Sequence, residues 1–440
     1  MNIKILSISI LMLSSLFSSQ VFCADADMQA KIQKLEHGLS DLQQQIRALK
    51  ADLKNDTSPS NAERIANLEA YAVELHDVLL EVRQQVADND SEIERVSQAQ
   101  ENQPHMGMYG AISAGKTSNQ NSIIDGESFE IVLSGQPHKR LSYFVELEFE
   151  RAATVGGSRG GEVLVEQAYT DILLNSWSNL RAGVLLVPFG NIERDHFSPL
   201  REVISKPLTS YAIAPSDWTD NGFGLNGKFN VSENWTADYQ AYVIAGLDDN
   251  ISSTGLRGTR QGFGEDNNND KAFSGKIKLL NTAGNRIGFS FYRGAWDDSG
   301  NRFMTGMNVD FGYHYKWLDF TGEYTRTLIE RESHGDAIMD GFYIRSIASI
   351  DHFMADNWLS TDFPGAELQL VAQYDQVDIE NFFDPSIADN REKRITLGVR
   401  VLPLKAWVFN FNYEHSQADG PDTILRGDAD TWTVSVGYIF

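Results

Sequence analysis

Cysteine is almost missing from this chain: Cys23 is the single one in 440 residues. It falls in the leader-like front end, so the rest of the chain offers no disulfide, no thiolate nucleophile and no thiolate metal site. Long apolar runs are missing too. After the first stretch no run of about 18 apolar residues occurs, which excludes helical membrane spans and leaves any membrane role to strands. Positive charge is scarce: 37 Lys and Arg stand against 61 Asp and Glu, a net charge of −24. Such acidity argues against nucleic acid as a partner. It fits a secreted surface protein whose acidic loops bridge to lipopolysaccharide through divalent cations.

What is present begins with an export signal over 1–26. Lys4 supplies its charge and Ile5 to Phe17 its apolar core. Cleavage after Ala26 leaves Ala24 and Ala26 as the small-residue pair, with Cys23 and Ala24 as other cleavage points. Phe22 is too bulky for a good lipoprotein site ahead of Cys23. Residues 27–100 then carry two heptad runs. The first is Met28, Ile32, Leu35, Leu39, Leu42, Ile46, Leu49 and Leu53. The second is Ile65, Leu68, Ala72, Leu75, Leu79, Val82, Val86, Asn89, Ile93 and Val96. A steady 3.5-residue period makes a narrow seam that only a partner helix buries. Pro59 stops the first helix, and Ser60 with Glu63 has capping-box spacing for the second. The arrangement is a coiled coil shared among subunits, with Asn89 as a register device, or a hairpin folded back within one chain.

From Met106 the period changes to two. The last strand shows it best: Trp432, Val434, Val436, Tyr438 and Phe440 share one parity, and Thr431, Thr433, Ser435 and Gly437 the other. One face suits lipid and the other water. Alternation predicts strands at 106–116, 127–135, 140–151, 162–174, 180–187, 221–230, 235–246, 271–280, 285–294, 305–315, 317–328, 340–351, 366–378, 393–402, 405–416 and 430–440. Short and long connections alternate, 352–365 excepted, so one rim faces the periplasm and the other the exterior. Trp177, Trp235, Trp317, Trp358 and Trp407 all lie at the short-turn rim, where an aromatic girdle belongs. The fold class is therefore an all-β, sixteen-stranded antiparallel transmembrane barrel over 105–440, preceded by an α-helical periplasmic coiled coil.

Parity also selects the lumen side. Leu141, Tyr143, Val145, Leu147 and Phe149 face lipid, leaving Glu146, Glu148 and Glu150 inward. Met307, Val309, Phe311, Tyr313 and Tyr315 face out, and Arg394 and Arg400 face in. Further inward positions include Arg181, Lys228, Asp238, Lys276, Lys278, Arg286, Asp319, Glu323, Arg345, Glu367 and Asp375. Sixteen strands enclose an aqueous channel, so these charges stay solvated. The glutamate row opposed by Arg and Lys sets up a transverse field across the pore. Loop 188–220, with Arg194, Arg201 and Lys206, is the expected constriction; Pro188, Pro199, Pro207 and Pro215 fix its path. The other reading is a lid over the outer rim. Loop 247–270, with Asp248, Asp249, Glu265, Asp266 and Asp270, reads as a mobile external loop, with a calcium site as the other reading.

The segments Glu166-Gln167-Ala168-Tyr169-Thr170-Asp171, Leu180-Arg181-Ala182-Gly183, Val187-Pro188-Phe189-Gly190 and Gly365 to Tyr374 resemble the phosphate-selective porin O and P family and its sixteen-stranded relatives. Lys206-Pro207 through Pro215, Trp218 and Gly222-Phe223-Gly224 are similar to poorly characterised members of that group. The resemblance covers most of 106–440. It implies a homotrimeric passive channel whose third external loop narrows the pore; some relatives carry an amino-terminal periplasmic coiled coil. The chain departs from the pattern in lacking a basic ladder, in its glutamate row, and in Gln373 where relatives often have Arg. Phosphate selectivity is therefore not carried over.

The expected function is an outer-membrane porin for small hydrophilic solutes, with outer-membrane lipid and lipopolysaccharide as surroundings. The alternatives are a structural or adhesive barrel and a siderophore-type uptake porin. Gly156-Gly157-Ser158-Arg159-Gly160 matches a serine-hydrolase pattern but sits in a glycine-rich loop, without the strand-to-helix elbow that exposes a nucleophile. His105, His138, His196, His314, His334, His352 and His415 show no metal-ligand spacing. No catalytic residue, metal or cofactor is expected.

Overall fold

The alternation read from the sequence appears as strands in a computed structural model. It describes residues 37, 40, 44, 47, 48, 73, 76, 80, 104–150, 162–191, 196–350 and 362–440. The chain divides into two units, 1–101 and 102–440. In the first, the described residues His37, Ser40, Gln44, Arg47, Ala48, Val73, His76 and Leu80 are helical. The export signal, the heptad seam and the Ser158 loop lie outside the described residues.

The second unit holds sixteen strands. They are β1 (His105–Thr117), β2 (Ile123–His138), β3 (Leu141–Glu150), β4 (Glu162–Asn175), β5 (Ser178–Leu186), β6 (Thr219–Ser232), β7 (Trp235–Ile244) and β8 (Ala272–Asn281). There follow β9 (Arg286–Ala295), β10 (Phe303–Tyr315), β11 (Leu318–Ile329), β12 (Ala337–Ser349), β13 (Glu367–Ile379), β14 (Asn390–Leu404), β15 (Trp407–Asp419) and β16 (Ala429–Ile439). Each pairs antiparallel with its sequence neighbours, and β1 pairs with β16 in a register running from Tyr109↔Ile439 to Thr117↔Thr431. Closure leaves no unpaired edge, as a sheet set in hydrocarbon requires.

The two faces sort as the period of two demands. Met307, Val309, Phe311, Tyr313 and Tyr315 of β10 are exposed on the outside, whereas Asn308 and Asp310 between them are buried. Phe223, Leu225, Ile277, Phe289, Ile344, Ile395, Leu397, Phe411 and Val434 continue the apolar belt. A belt this extensive calls for lipid or another apolar surface against it, not water. At the short-turn rim Trp177, Trp235 and Trp317 are exposed; Trp358 lies outside the described residues. Lys316, at φ +60, closes the tight β10–β11 hairpin in the left-handed conformation such turns use.

The inside differs from the open aqueous lumen expected from the sequence. At the long-loop rim the inward positions are apolar: Tyr242, Ile244, Tyr292, Met304, Ile329, Met339, Val377 and Ile379. Phe189, Leu208, Ile213 and Trp218 of the 187–218 segment and Leu247 and Leu256 of the next long loop fill the space between them. Each such side chain removed from water contributes about 1.5–3 kcal/mol, so a water-filled mouth with this lining would be unfavourable. The result is an internal apolar plug. Charges further down, among them Glu323, Arg345, Asp375 and Arg394, are buried beneath it and not solvated.

Candidate functional site

The described parts of the 187–218 segment, 187–191 and 196–218, lie inside the barrel against different strands. Gly190 makes the entry: its φ of +72 is one that glycine adopts without strain. Its amide donates to Ser290 Oγ at 2.9 Å, and its carbonyl accepts from Lys276 Nζ at 2.6 Å. Asn191 then donates through its backbone amide to Glu323 and through its side chain to the Tyr343 hydroxyl. On the far side Phe197 lies against Tyr109 of β1, ring centroids 3.9 Å apart. Val203 packs on Ile347 and Val371, and the Ile204 amide donates to Asn412. Arg394 donates to the Lys206 carbonyl, and Asp375 accepts from the Leu208 amide at the start of α1 (Leu208–Ala212). The segment is thus tied to β8, β9, β11, β12, β13, β14 and β15 by inward polar groups.

What it leaves open is one side of the lumen. A cavity of about 790 Å³ lies between β1–β4, β16 and the inserted segment. Asp125, Glu127, Glu130, Glu148, Glu150 and Glu166 line it from β2, β3 and β4. Lys116, Arg201, Lys206, Arg257, Arg260 and Arg426 line it from β1 and the loops. An Arg201–Glu127 ion pair bridges the two sets. Arg260 is fixed by the Ser216 and Asp217 carbonyls, and Arg426 by Thr117 and Thr431. Carboxylates and cations held together around one space create a local field within it.

Beneath this cavity lies a knot of titratable groups. Glu146 accepts from the Tyr109 hydroxyl at 2.6 Å and from Gln167 at 2.7 Å. His196 Nε2 is 3.2 Å from Glu146 and 2.9 Å from Glu166. Burial alone would lower the His196 pKa; the Glu166, Asp217 and Glu146 carboxylates raise it well above the usual imidazole value. Burial would raise the Asp217 pKa, but Lys206 and His196 hold it well below the usual carboxylate value. Both shifts favour the charged forms of the two groups.

The residues singled out in the sequence fall into four groups. Glu148, Glu150, Arg201 and Lys206 line the cavity, and Glu146 lies 3.2 Å from His196, which lines it too. Lys276, Arg345, Arg394 and Arg400 are buried: Lys276 beside Asp310, Arg345 on Glu202 and Gln373, Arg394 between Asp375 and Glu414, and Arg400 on Gln369 and Asn410. Arg181 pairs with Asp171 over the Tyr169 ring, and Lys228 with Asp238, near the short-turn rim. Arg194 lies outside the described residues.

Several lining residues were not singled out beforehand. Glu130 has the inward parity of β2 and was legible from alternation alone. Glu166 sits at a β-bulge opposite Glu146 and Leu147, where one extra residue shifts the parity of β4. Arg257, Arg260 and Arg426 come from loops whose path no local pattern dictates.

No known family model matches the chain. An uncharacterized protein of Aquifex aeolicus (strain VF5) is 28% identical over 205 residues, which is 46% of this chain. The match spans only 45% of that curated relative's length. Among solved structures, OmpF of Salmonella typhi in complex with daunomycin superposes with a TM-score of 0.54 at 13% identity, over 77% of this chain and 98% of that one. The anion-selective porin from Comamonas acidovorans gives a TM-score of 0.52 at 12% identity, over 77% and 100%. OmpT of Vibrio cholerae in its trimer form gives 0.50 at 10%, over 77% and 99%. In fold the chain is a closed sixteen-stranded antiparallel barrel similar to these solved structures.

Proposed function

We propose that the barrel is a passive outer-membrane channel for small hydrophilic solutes, with the 187–218 segment as its constriction. The observation that carries this reading is the cavity lined by Glu127, Glu130, Glu148 and Glu150 together with Arg201, Lys206, Arg257 and Arg426. Opposed charges orient a polar solute as it passes without holding it through an apolar surface. A homotrimer in lipid and lipopolysaccharide, with an export signal and a periplasmic coiled coil over 27–100, completes the proposal. The trimeric form named for the Vibrio cholerae protein and the heptad runs support it. The resemblance to the porin O and P family supports a channel and not an enzyme.

Neither phosphate nor general anion selectivity is carried over. The cavity walls hold both signs, and the cations Arg345, Arg394 and Arg400 are occupied in buried contacts. Planar-bilayer recording on the folded protein tests the proposal. Stable conductance steps are expected, together with liposome swelling that falls off as solute size rises; a folded barrel giving neither result refutes it.

One feature favours a second reading, an uptake porin for a bulkier charged solute. The apolar plug leaves a bounded cavity of about 790 Å³, within the size range of small-molecule sites. Under that reading one class of solute blocks the single-channel current at low concentration, and under the first reading none does.

A further inference from the structure

Three carboxylates and one imidazole converge below the cavity. Glu130 of β2, Glu146 of β3, Glu166 of β4 and His196 of the inserted segment each present one ligand atom, and these atoms lie within 4.8 Å of one another. All four residues are more than nine-tenths buried: 2%, 2%, 4% and 8% exposed, respectively. In a tetrahedral site with metal–ligand bonds of about 2.0–2.1 Å, neighbouring ligand atoms stand about 3.3 Å apart. His196 Nε2 is already 3.2 Å from Glu146 Oε2 and 2.9 Å from Glu166 Oε2.

The cluster is short of positive charge and of hydrogen bonds. Three carboxyl groups crowd one imidazole out of water, where they cannot all ionise together unless a cation joins them. Glu130 Oε2 is buried with no hydrogen-bond donor among the described residues, and Glu166 Oε2 has only the His196 ring 2.9 Å away. The other oxygens are held in place. Ser128 Oγ donates to Glu130 Oε1 at 2.8 Å, and Tyr109 donates to Glu146 Oε1. Asp217 lies 3.7 Å behind His196 Nδ1. Groups placed in this way behind metal ligands fix their orientation. Glu130, Glu166 and His196 also border the cavity, which provides a path for an ion from solvent.

We propose that Glu130, Glu146, Glu166 and His196 form a binding site for a divalent first-row transition cation. One nitrogen and three oxygens suit zinc, manganese or ferrous iron. The set is too small for calcium, which takes six to eight oxygens, and it contains no sulfur for cuprous copper. The proposal stands whether or not the barrel conducts.

Zinc alone serves as the probe. Full-length protein folded in detergent is stripped with chelator, titrated with zinc and assayed for bound metal per chain. One zinc per chain is expected, with affinity lowered at least a hundredfold in Glu166→Gln and in His196→Ala. Glu332→Gln, on an exposed loop, should bind as the wild type does. Absence of binding by the folded wild-type barrel, or undiminished binding by a folded Glu130→Gln/Glu166→Gln double variant, overturns the proposal. An anomalous-difference map of zinc-soaked wild-type crystals needs no variant. It should show a peak among these four side chains, and a peak only elsewhere or none overturns the assignment.

Discussion

Glu202 of the inserted segment and Arg345 of β12 form an ion pair of 2.5 Å, with side chains 1% and 2% exposed. Arg345 Nε also donates to Gln373 at 2.7 Å, so the guanidinium is held on two sides. The pair pins the segment deep in the barrel, between the Val203 cluster and the cavity. Removing one partner of a buried pair costs about 3–5 kcal/mol, because the other is left charged without compensation. Glu202→Ala is therefore expected to release the segment. Faster proteolysis within 187–218 and larger, noisier single-channel steps should follow, with the barrel still resistant to detergent. Unchanged conductance and proteolysis would show that the pair does not hold the constriction.

The two sets of charges around the cavity predict a sign-specific change in selectivity. Neutralising Glu127 and Glu150 to Gln should shift the reversal potential toward anions, and Arg201→Gln with Arg426→Gln should shift it toward cations. A unit charge acting on an ion across several ångströms of partly screened space changes its energy by about 1 kcal/mol, or roughly fivefold in permeability ratio. In 1 M salt, where screening acts over about 3 Å, the effect should shrink. Shifts of the same sign from both pairs would rule out such a field.

Gly190 is the hinge at which the chain turns inward. A Cβ placed there would lie 3.0 Å from Glu323 Oε1 and 3.4 Å from Asn308 Nδ2, on a backbone at φ +72. Gly190→Ala should destabilise the seated segment by about 1–2 kcal/mol through the left-handed conformation alone. Amide exchange should quicken at Asn191 and Leu208 while staying slow in β10 and β11. Equal protection in variant and wild type would count against this role.

The outer and inner faces should respond in opposite ways to charge. Val309→Arg, on the exposed apolar face of β10, should cost about 2–4 kcal/mol near the bilayer midplane. Lys228→Gln, at a side chain 71% exposed, should cost almost nothing. Folding titrations into lipid vesicles measure both. A cheap Val309→Arg would place that face in water.

The strands were the legible part of this molecule, because a two-faced wall imposes its period directly on the chain. The parity of Met307 to Tyr315 predicts the outward set on β10, and Trp432 to Phe440 marks the last strand. The interior was harder to read. Arg394 and Arg400 have the inward parity expected of them, yet sequence spacing says nothing about what covers them. The cover comes from Leu208, Ile213 and Trp218, apolar residues on a stretch that looks like a connection. Glu166 and His196 come together through a bulge and an inserted segment, neither of which leaves a periodic trace. The amino-terminal heptads, clear as a pattern, lie outside the described residues.

The seam between the first and last strands sets an order of assembly. Thr117 and Thr431 meet hydroxyl to hydroxyl at 3.0 Å across 314 positions of chain. The inserted segment rests on both sides of that seam and beside it: Phe197 on Tyr109, Pro199 near Gly437, the Ile204 amide on Asn412. Its docking sites on β15 and β16 do not exist until the carboxy-terminal hairpin arrives. Full seating of the segment and completion of the cylinder are thus one late event. A folding intermediate caught before it would be a gaping trough, with its stopper still loose and two edges open to its neighbours.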